Sequence, residues 1–523
     1  MWFFAVCFLQ WRLRLPATSI FKKSLADKDD FTLTFELVPA RSSRGGVYSR
    51  ALEFAEHAVA DGRLRAVSIT ENAGGHPAAS PEVMGREIRE RGLEVIVHLS
   101  CKDRNRNQME SQLFAWDRLG LRNLLVISGD YPQRGYCGCP KPVFDLDSVQ
   151  ALDLISRLNC QQESDRRNPM VRDLAPTSFV KGVAVSPFKM SEAELMGQYW
   201  KLHAKAAAGA DYLITQVGYD PRKFEELLFF MNSTGLDLPA LGNVFVPTMK
   251  VAKLMHEKKI PGCVIPEPLF RRMEEEGRSS DRGREARLLR AAQLLAVLKG
   301  LGYAGAHIGG PGLDFADLET ILDRSASLEG QWRDLVPELL SWPKKAFYYF
   351  KVNPETGLNQ TDAINLPSRP RPSVGQRISL GVHEVLFNRK RLTAKLFARL
   401  CLALDRTRFS PALDRFEYLS KWLLYGCRHC GDCTLGETAF LCPQAGCAKK
   451  LLNGPCGGSR DGWCEVFPGV RRCVYIRVYA RMGTKGFAAA FRKRFIIPRD
   501  WALDRTSSWV NFFIGRDHHN TLK

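Results

Sequence analysis

Over its first 330 or so positions the chain alternates between short runs rich in β-branched and aliphatic residues and longer stretches whose apolar positions recur every three or four residues. The short runs predict strands over 31–38, 66–70, 94–99, 123–128, 180–185, 212–216, 240–246 and 305–308. The amphipathic stretches predict helices over 48–60, 107–119, 192–208, 222–231 and 286–298. Alternating strand and helix units of this kind make an α/β protein, and eight of them suit a closed (β/α)8 TIM-type barrel. An open, doubly wound sheet is the alternative topology.

The pattern breaks over 342–376 into a Pro-, Asn- and Ser-rich stretch, Asn353-Pro-Glu-Thr-Gly followed by Pro367-Ser-Arg-Pro-Arg-Pro-Ser373, which reads as an extended connector. Helical periodicity returns over 392–424, a dense cysteine block follows, and the chain closes in a basic aromatic stretch from Val474 to Lys523, read as a solvated, partly helical cover. The resulting division is an N-terminal extension over 1–30, a barrel over 31–330, a Pro-rich linker over 331–390, a small cysteine-rich metal-binding domain over 391–482 and a basic tail over 483–523. Met1 to Trp11 are mostly apolar, but Arg12 and Arg14 follow at once. That run is too short for a bilayer span and has its charge on the wrong side for a secretory signal.

The chain has 523 residues, of which 45% are hydrophobic, enough for a large core and more than one folded part. Its formal net charge of +19 favours anionic partners such as phosphates, polyglutamate tails or an acidic redox protein. No nucleic acid is expected, because outside the tail no basic stripe carries interleaved stacking aromatics. Of 15 cysteines, eight fall between Cys427 and Cys473. A large chain with one dense block points to a metal site in a reducing cytoplasm rather than to a disulfide scaffold.

In a parallel α/β protein the loops leaving the carboxyl ends of strands carry the chemistry. His98-Leu-Ser-Cys-Lys-Asp103 and Ser128-Gly-Asp130 leave consecutive strands, so His98, Asp103 and Asp130 should meet on one rim. Other strand ends supply Glu36, Thr70, Glu71, Gln216 and His307.

Five segments, Phe35-Glu-Leu-Val-Pro39, Val67-Ser-Ile-Thr70, His98 to Asn107, Gly120 to Asp130 and Ala208 to Gln216, resemble in order and spacing the signatures of the methylenetetrahydrofolate reductase family. The resemblance covers roughly 31–325. It implies a flavin-containing barrel that reduces methylenetetrahydrofolate to methyltetrahydrofolate in one-carbon metabolism. It also implies that Glu36 is the acid that opens the folate's methylene bridge, that Asp130 lies near both flavin and pterin, and that Gln216 bonds the pterin. Thr70, His98, Ser128, Gly129, Asp130 and Lys205 would then hold the flavin, with Lys205 at its phosphate. An acid in that role should sit in an apolar setting that raises its pKa. Gln198, where the family often carries an acid seven residues before the lysine, leaves FAD, the family default, and FMN both open as the flavin, and the donor open between NAD(P)H and a redox partner protein.

The cysteines Cys427, Cys430, Cys433, Cys442, Cys447, Cys456, Cys464 and Cys473 open with a Cys-x2-Cys-x2-Cys run and a following Cys-Pro, close to the bacterial ferredoxin run except that the last spacing is eight residues where ferredoxins have three. Eight thiolates suffice for two 4Fe-4S clusters, one cluster and a zinc, or two zincs. Residues 395–482 also resemble the C-terminal domain attached to some bacterial reductases of this family, which implies electron delivery to the barrel or docking of a redox partner. Two other readings stay open: folate-dependent methyl transfer or demethylation on the same barrel, and a non-catalytic docking subunit for electron carriers. The oligomeric state is left open.

Overall fold

The computed structural model describes residues 19–160, 175–365, 367–405, 407–493 and 495–519. The apolar stretch from Met1 to Trp11 lies outside them. Strands β1 (Thr32–Leu37), β2 (Leu64–Ile69), β3 (Val95–Ser100), β4 (Asn123–Ile127), β5 (Val180–Val185), β6 (Tyr212–Thr215), β7 (Ala240–Phe245) and β8 (Gly305–Gly309) pair in parallel and in chain order, and β8 closes on β1. All eight expected strands are present, and the open-sheet alternative is excluded by that closure.

Successive side chains of a strand point to opposite faces, and here the two faces build two cores. Outward-facing Phe35, Leu37, Val67, Ile69, Val95, Val97, Leu124 and Val126 pack under the surrounding helices. Inward-facing Ala66, Ile96, Leu125, Val180, Tyr212, Ile214 and Leu241 fill the lower barrel. Helix α1 (Ile20–Ala26) seals the barrel's amino-terminal end, with the Phe21 ring edge-on to Tyr212 at 5.2 Å between centroids. Residues 19–30 are therefore a built part of the barrel rather than an extension. Gly182 is required there, since a Cβ would fall 2.2 Å from the Tyr212 ring.

The ring of helices comprises α2 (Gly46–Asp61), α3 (Pro81–Glu90), α4 (Arg106–Leu119), α5 (Ser148–Cys160), α6 (Glu192–Ala207), α7 (Pro221–Ser233), α8 (Met249–His256), α9 (Glu267–Glu276), α10 (Arg284–Leu301) and α11 (Phe315–Leu328). The expected connector is not simply extended. It holds α12 (Trp332–Leu339) and a hairpin of β9 (Phe350–Val352) and β10 (Asn359–Ile364). Buried charges tie this segment to α7: Lys223 Nζ donates to Phe347 O at 2.7 Å and to Glu226 Oε1 at 2.9 Å, and Glu225 accepts from the Asn359 backbone at 2.7 Å. Pro and Asn density marked the turns, and the ion network that straps them down has no local sequence signal.

Beyond it lie α13 (Val374–Leu386), α14 (Leu392–Asp405), α15 (Ser410–Tyr425), the one-turn α16 (Pro443–Gly446), α17 (Val474–Lys493) and α18 (Ser508–Ile514). The α17 stretch, expected as solvated cover, packs on α6 instead. Its Val478 and Phe487 are fully buried in the same core as the outer barrel. Among the described residues no helix is long and apolar enough to cross a membrane.

Candidate functional site

The polar residues gather at the carboxyl ends of the strands. On the β1–β8 side, Thr34 Oγ1 and His307 Nδ1 share a hydrogen bond of 2.8 Å, and His307 Nε2 lies 3.4 Å from Ser68 Oγ and 3.8 Å from Glu36 Oε2. Burial pushes the Glu36 carboxyl up, but the His307 ring beside it, helped by His98, outweighs that and holds it below its usual value. The apolar, pKa-raising setting expected for Glu36 is therefore not what the barrel supplies: His307, one strand away across the closing seam, reverses the direction. His98 lies deeper. Burial pushes its imidazole down to about 4, and Glu36 only partly opposes this.

On the opposite side, Ser128, Gly129, Asp130, Lys205 and Gln216 line one cavity of about 150 Å³. Gly129 has φ +80, and a Cβ there would meet Ser100 Oγ at 2.0 Å, so only glycine fits between β3 and β4. Asp130 Oδ2 accepts from the Gly74 backbone at 2.9 Å, and Asp103 Oδ2 accepts from Asn72 Nδ2 at 3.0 Å, so the turn after β2 links the two acids. Gln216 Oε1 accepts from the Val217 backbone at 2.9 Å. Glu36 lines a different and larger cavity of about 990 Å³, together with Arg50, His57 and Phe315. The expected residues thus divide between two cavities. Thr70 Oγ1 and His98 Nε2, expected at the flavin, are buried atoms without a hydrogen-bond partner, as is Ser186 Oγ.

The small cavity has a wall that local sequence gives no hint of. Lys449, Cys456, Gly457, Gly458 and Glu465 of the cysteine block close it. Lys449 Nζ donates to Gly129 O at 2.6 Å and is ion-paired with Glu465. Lys201 Nζ donates to Pro455 O at 3.0 Å, and Lys189 Nζ donates to Ser459 O at 3.0 Å and to Gly457 O. Buried Asp147 accepts from the backbone of Leu452 at 3.0 Å and of Asn453 at 2.7 Å. Lys205 donates to Ala184 O at 2.5 Å, and burial, with Lys201 nearby, pushes its ammonium down to about 7. That bond to β5 uses one of the three donors of the Lys205 ammonium, and the side chain lines the small cavity.

All eight cysteines of the block are free thiols in the structure. They sort into two electrostatic groups. Burial raises Cys442, and the neighbouring thiols Cys433, Cys430 and Cys427 add to that rise. Burial likewise raises Cys456 and Cys473, with Cys447 adding to both, Cys473 to the former and Cys464 to the latter. The first four cysteines in sequence are one quartet and the last four are another, and Cys456 carries the second to the barrel mouth.

Fold and rim define the class first: a (β/α)8 barrel whose polar residues gather at the strand carboxyl ends, roofed by a cysteine-rich segment. The chain belongs to the methylenetetrahydrofolate reductase family: the model described as methylenetetrahydrofolate reductase matches residues 21–299, and that described as methylene-tetrahydrofolate reductase C terminal matches 410–502. Methylenetetrahydrofolate reductase 1 of Schizosaccharomyces pombe is 23% identical over 46% of this chain and 37% of its own length. A probable methylenetetrahydrofolate reductase (NADPH) of Caenorhabditis elegans is 23% identical over 48% of this chain and 35% of its own. The chain thus spans little more than a third of either relative. A solved structure, described as an uncharacterized protein from Clostridium thermocellum that binds two copies of 5-methyl-5,6,7,8-tetrahydrofolic acid, is 11% identical with a TM-score of 0.39, over 59% of this chain and 99% of that one.

Proposed function

We propose that this chain reduces methylenetetrahydrofolate to methyltetrahydrofolate at the carboxyl end of its barrel, with electrons from NAD(P)H or a reduced partner protein. The observation that carries the reading is the meeting of Asp130, Gln216 and Lys205 in one cavity of a barrel from this family, with Cys456 in its wall. Asp130 and Gln216 supply the acceptor and amide that a pterin ring needs for orientation. Glu36, held ionised beside His307, stabilises positive charge as the methylene bridge opens to the iminium, and its neighbour provides a proton relay. The large cavity beside Glu36, with Arg50 and His57 in its lining, has room for the anionic tail of a folate.

The residues expected to hold the flavin, FAD or FMN, are not gathered in one cavity: Ser128, Gly129, Asp130 and Lys205 line the small one, and Thr70 and His98 do not. That cavity, at about 150 Å³, is smaller than the roughly 300–1,000 Å³ of ordinary ligand pockets, and Lys205 gives only one of its three donors, to Ala184 O. The partnerless Thr70 Oγ1, His98 Nε2 and Ser186 Oγ await a polar ligand nonetheless. The two cysteine quartets do fit metal centres as donor sets. Each quartet has the four thiolates that either a zinc or a 4Fe-4S cluster takes, and a cluster would supply one-electron transfer.

The cramped cavity also favours a second reading, methyl transfer or demethylation of a folate on the same barrel with no flavin. One experiment separates them. Protein purified without oxygen is given methylenetetrahydrofolate and a reduced viologen dye, and methyltetrahydrofolate is measured by mass spectrometry. Dye-dependent product, lost in Glu36→Gln, supports the reductase. Methyltetrahydrofolate binding without any dye-dependent product sinks the reductase and leaves methyl transfer.

A further inference from the structure

A second constellation of side chains, remote from the barrel mouth, is built where the end of the chain meets the first cysteine loop. His518 Nδ1 donates to Asp432 Oδ1 at 2.5 Å, and His519 Nδ1 donates to Asp517 Oδ2 at 2.9 Å. Each imidazole therefore turns its Nε2 the other way, and both reach one carboxylate: His519 Nε2 lies 3.0 Å from Glu437 Oε1, and His518 Nε2 lies 3.9 Å from Glu437 Oε2. The ligand atoms of Glu437, His518 and His519 are within 4.8 Å of one another. Ligands about 2.0–2.1 Å from a tetrahedral ion stand roughly 3.4 Å apart, and the two observed spacings bracket that value.

We propose that Glu437, His518 and His519 form a binding site for a divalent first-row transition ion, separate from the cysteine quartets. Two imidazoles and a carboxylate suit zinc, iron or nickel, where eight thiolates select softer or clustered metals. A metal-binding histidine characteristically gives its other ring N–H to a carboxylate, which fixes its tautomer, and Asp432 and Asp517 do this for the two rings separately. An independent feature points to an open coordination position. Glu437, Asp517 and His519 line a cavity of about 350 Å³ together with Lys421, Phe387, Phe440, Trp509 and Phe512. An ion held by three protein atoms keeps its fourth position for a small ligand entering from that space. The imidazole of His383 also lines the cavity. Both ligand histidines lie beyond residues 410–502, so the family's C-terminal pattern does not contain the site.

The test uses the full chain, purified without oxygen and with its thiolate sites filled, titrated with Co2+. The expected result is one saturable equivalent showing d–d absorption without thiolate charge transfer. Glu437→Gln and His519→Ala should abolish it, and Asp517→Asn should weaken it roughly tenfold to hundredfold. Retained metal content at the cysteine sites, none of whose thiols these changes replace, confirms that each variant is folded. Absence of any Co2+ uptake outside the thiolates in the unaltered chain overturns the proposal. So does Glu437→Gln binding Co2+ as tightly as the unaltered chain, which would leave the cluster as an ion-paired clamp for the chain end.

Discussion

Asp147 joins the two halves of the molecule through a single carboxylate, so Asp147→Asn should loosen them measurably. One oxygen, Oδ1, accepts from the Val149 and Gln150 backbones at 2.9 and 3.1 Å and caps α5. The other, Oδ2, accepts from the backbones of Leu452 and Asn453 and from Asn453 Nδ2 at 3.1 Å, anchoring the loop that roofs the small cavity. The side chain is buried. An amide has one acceptor oxygen, so whichever way the substituted side chain turns, one set of N–H groups faces an NH2. Turning its oxygen to the loop gives up a cap worth about 0.5–2 kcal/mol. It also drops three charge-assisted bonds to neutral ones, at about 1 kcal/mol each. Together these losses come to about 3.5–5 kcal/mol, and the roughly 3 kcal/mol that falls on the loop is a rise on the order of a hundredfold in its local opening. Hydrogen exchange at the Leu452 and Asn453 amides reads this directly, which matters because a chain of this size need not unfold in one step. Exchange at those two amides within threefold of the unaltered protein would refute the reasoning.

Four further outcomes follow from the site. Lys205 holds its proton in the unfolded chain up to about pH 10.5 but releases it near pH 7 when folded, so the unfolded state binds more protons between those limits and stability rises with pH across them. Lys205→Met should remove that rise, measured as the difference between the two proteins' denaturation midpoints from pH 7 to 10. Glu36→Gln should lower dye-driven turnover by roughly a hundredfold to ten-thousandfold while leaving the melting temperature nearly unchanged. Gly129→Ala should destabilise by about 1–3 kcal/mol or more, since its Cβ meets Ser100 Oγ and its φ is +80, and a melting curve matching that of the unaltered chain would contradict it. Cys427→Ala should remove the metal of the first quartet and spare the second, and Cys456→Ala the reverse, as read by metal content per chain; loss of both centres from either change would dissolve the two-quartet assignment.

The sequence by itself determined the barrel. Each strand announces itself by β-branched residues and each helix by its apolar spacing, and these are local properties of ten or fifteen residues. It also determined which strand ends carry polar groups, because the residue that follows an apolar run falls on the rim once the barrel closes. What it left undecided depends on contacts between distant segments. Glu36 and His307 are 271 positions apart and meet only because β8 closes on β1, and that meeting sets the ionisation of Glu36. The division of the eight cysteines into consecutive quartets needs the fold, since spacing alone permits other pairings. The roof over Asp130 and Gln216 comes from residues more than two hundred positions further along, held there by α17 on α6 and by Asp147. An apolar stripe reveals that a helix will be buried but not against which partner, and a loop carbonyl leaves no mark in the sequence of the lysine it will occupy. His518 and His519 read as two polar residues near a chain end, and only the path of the backbone brings them to Glu437.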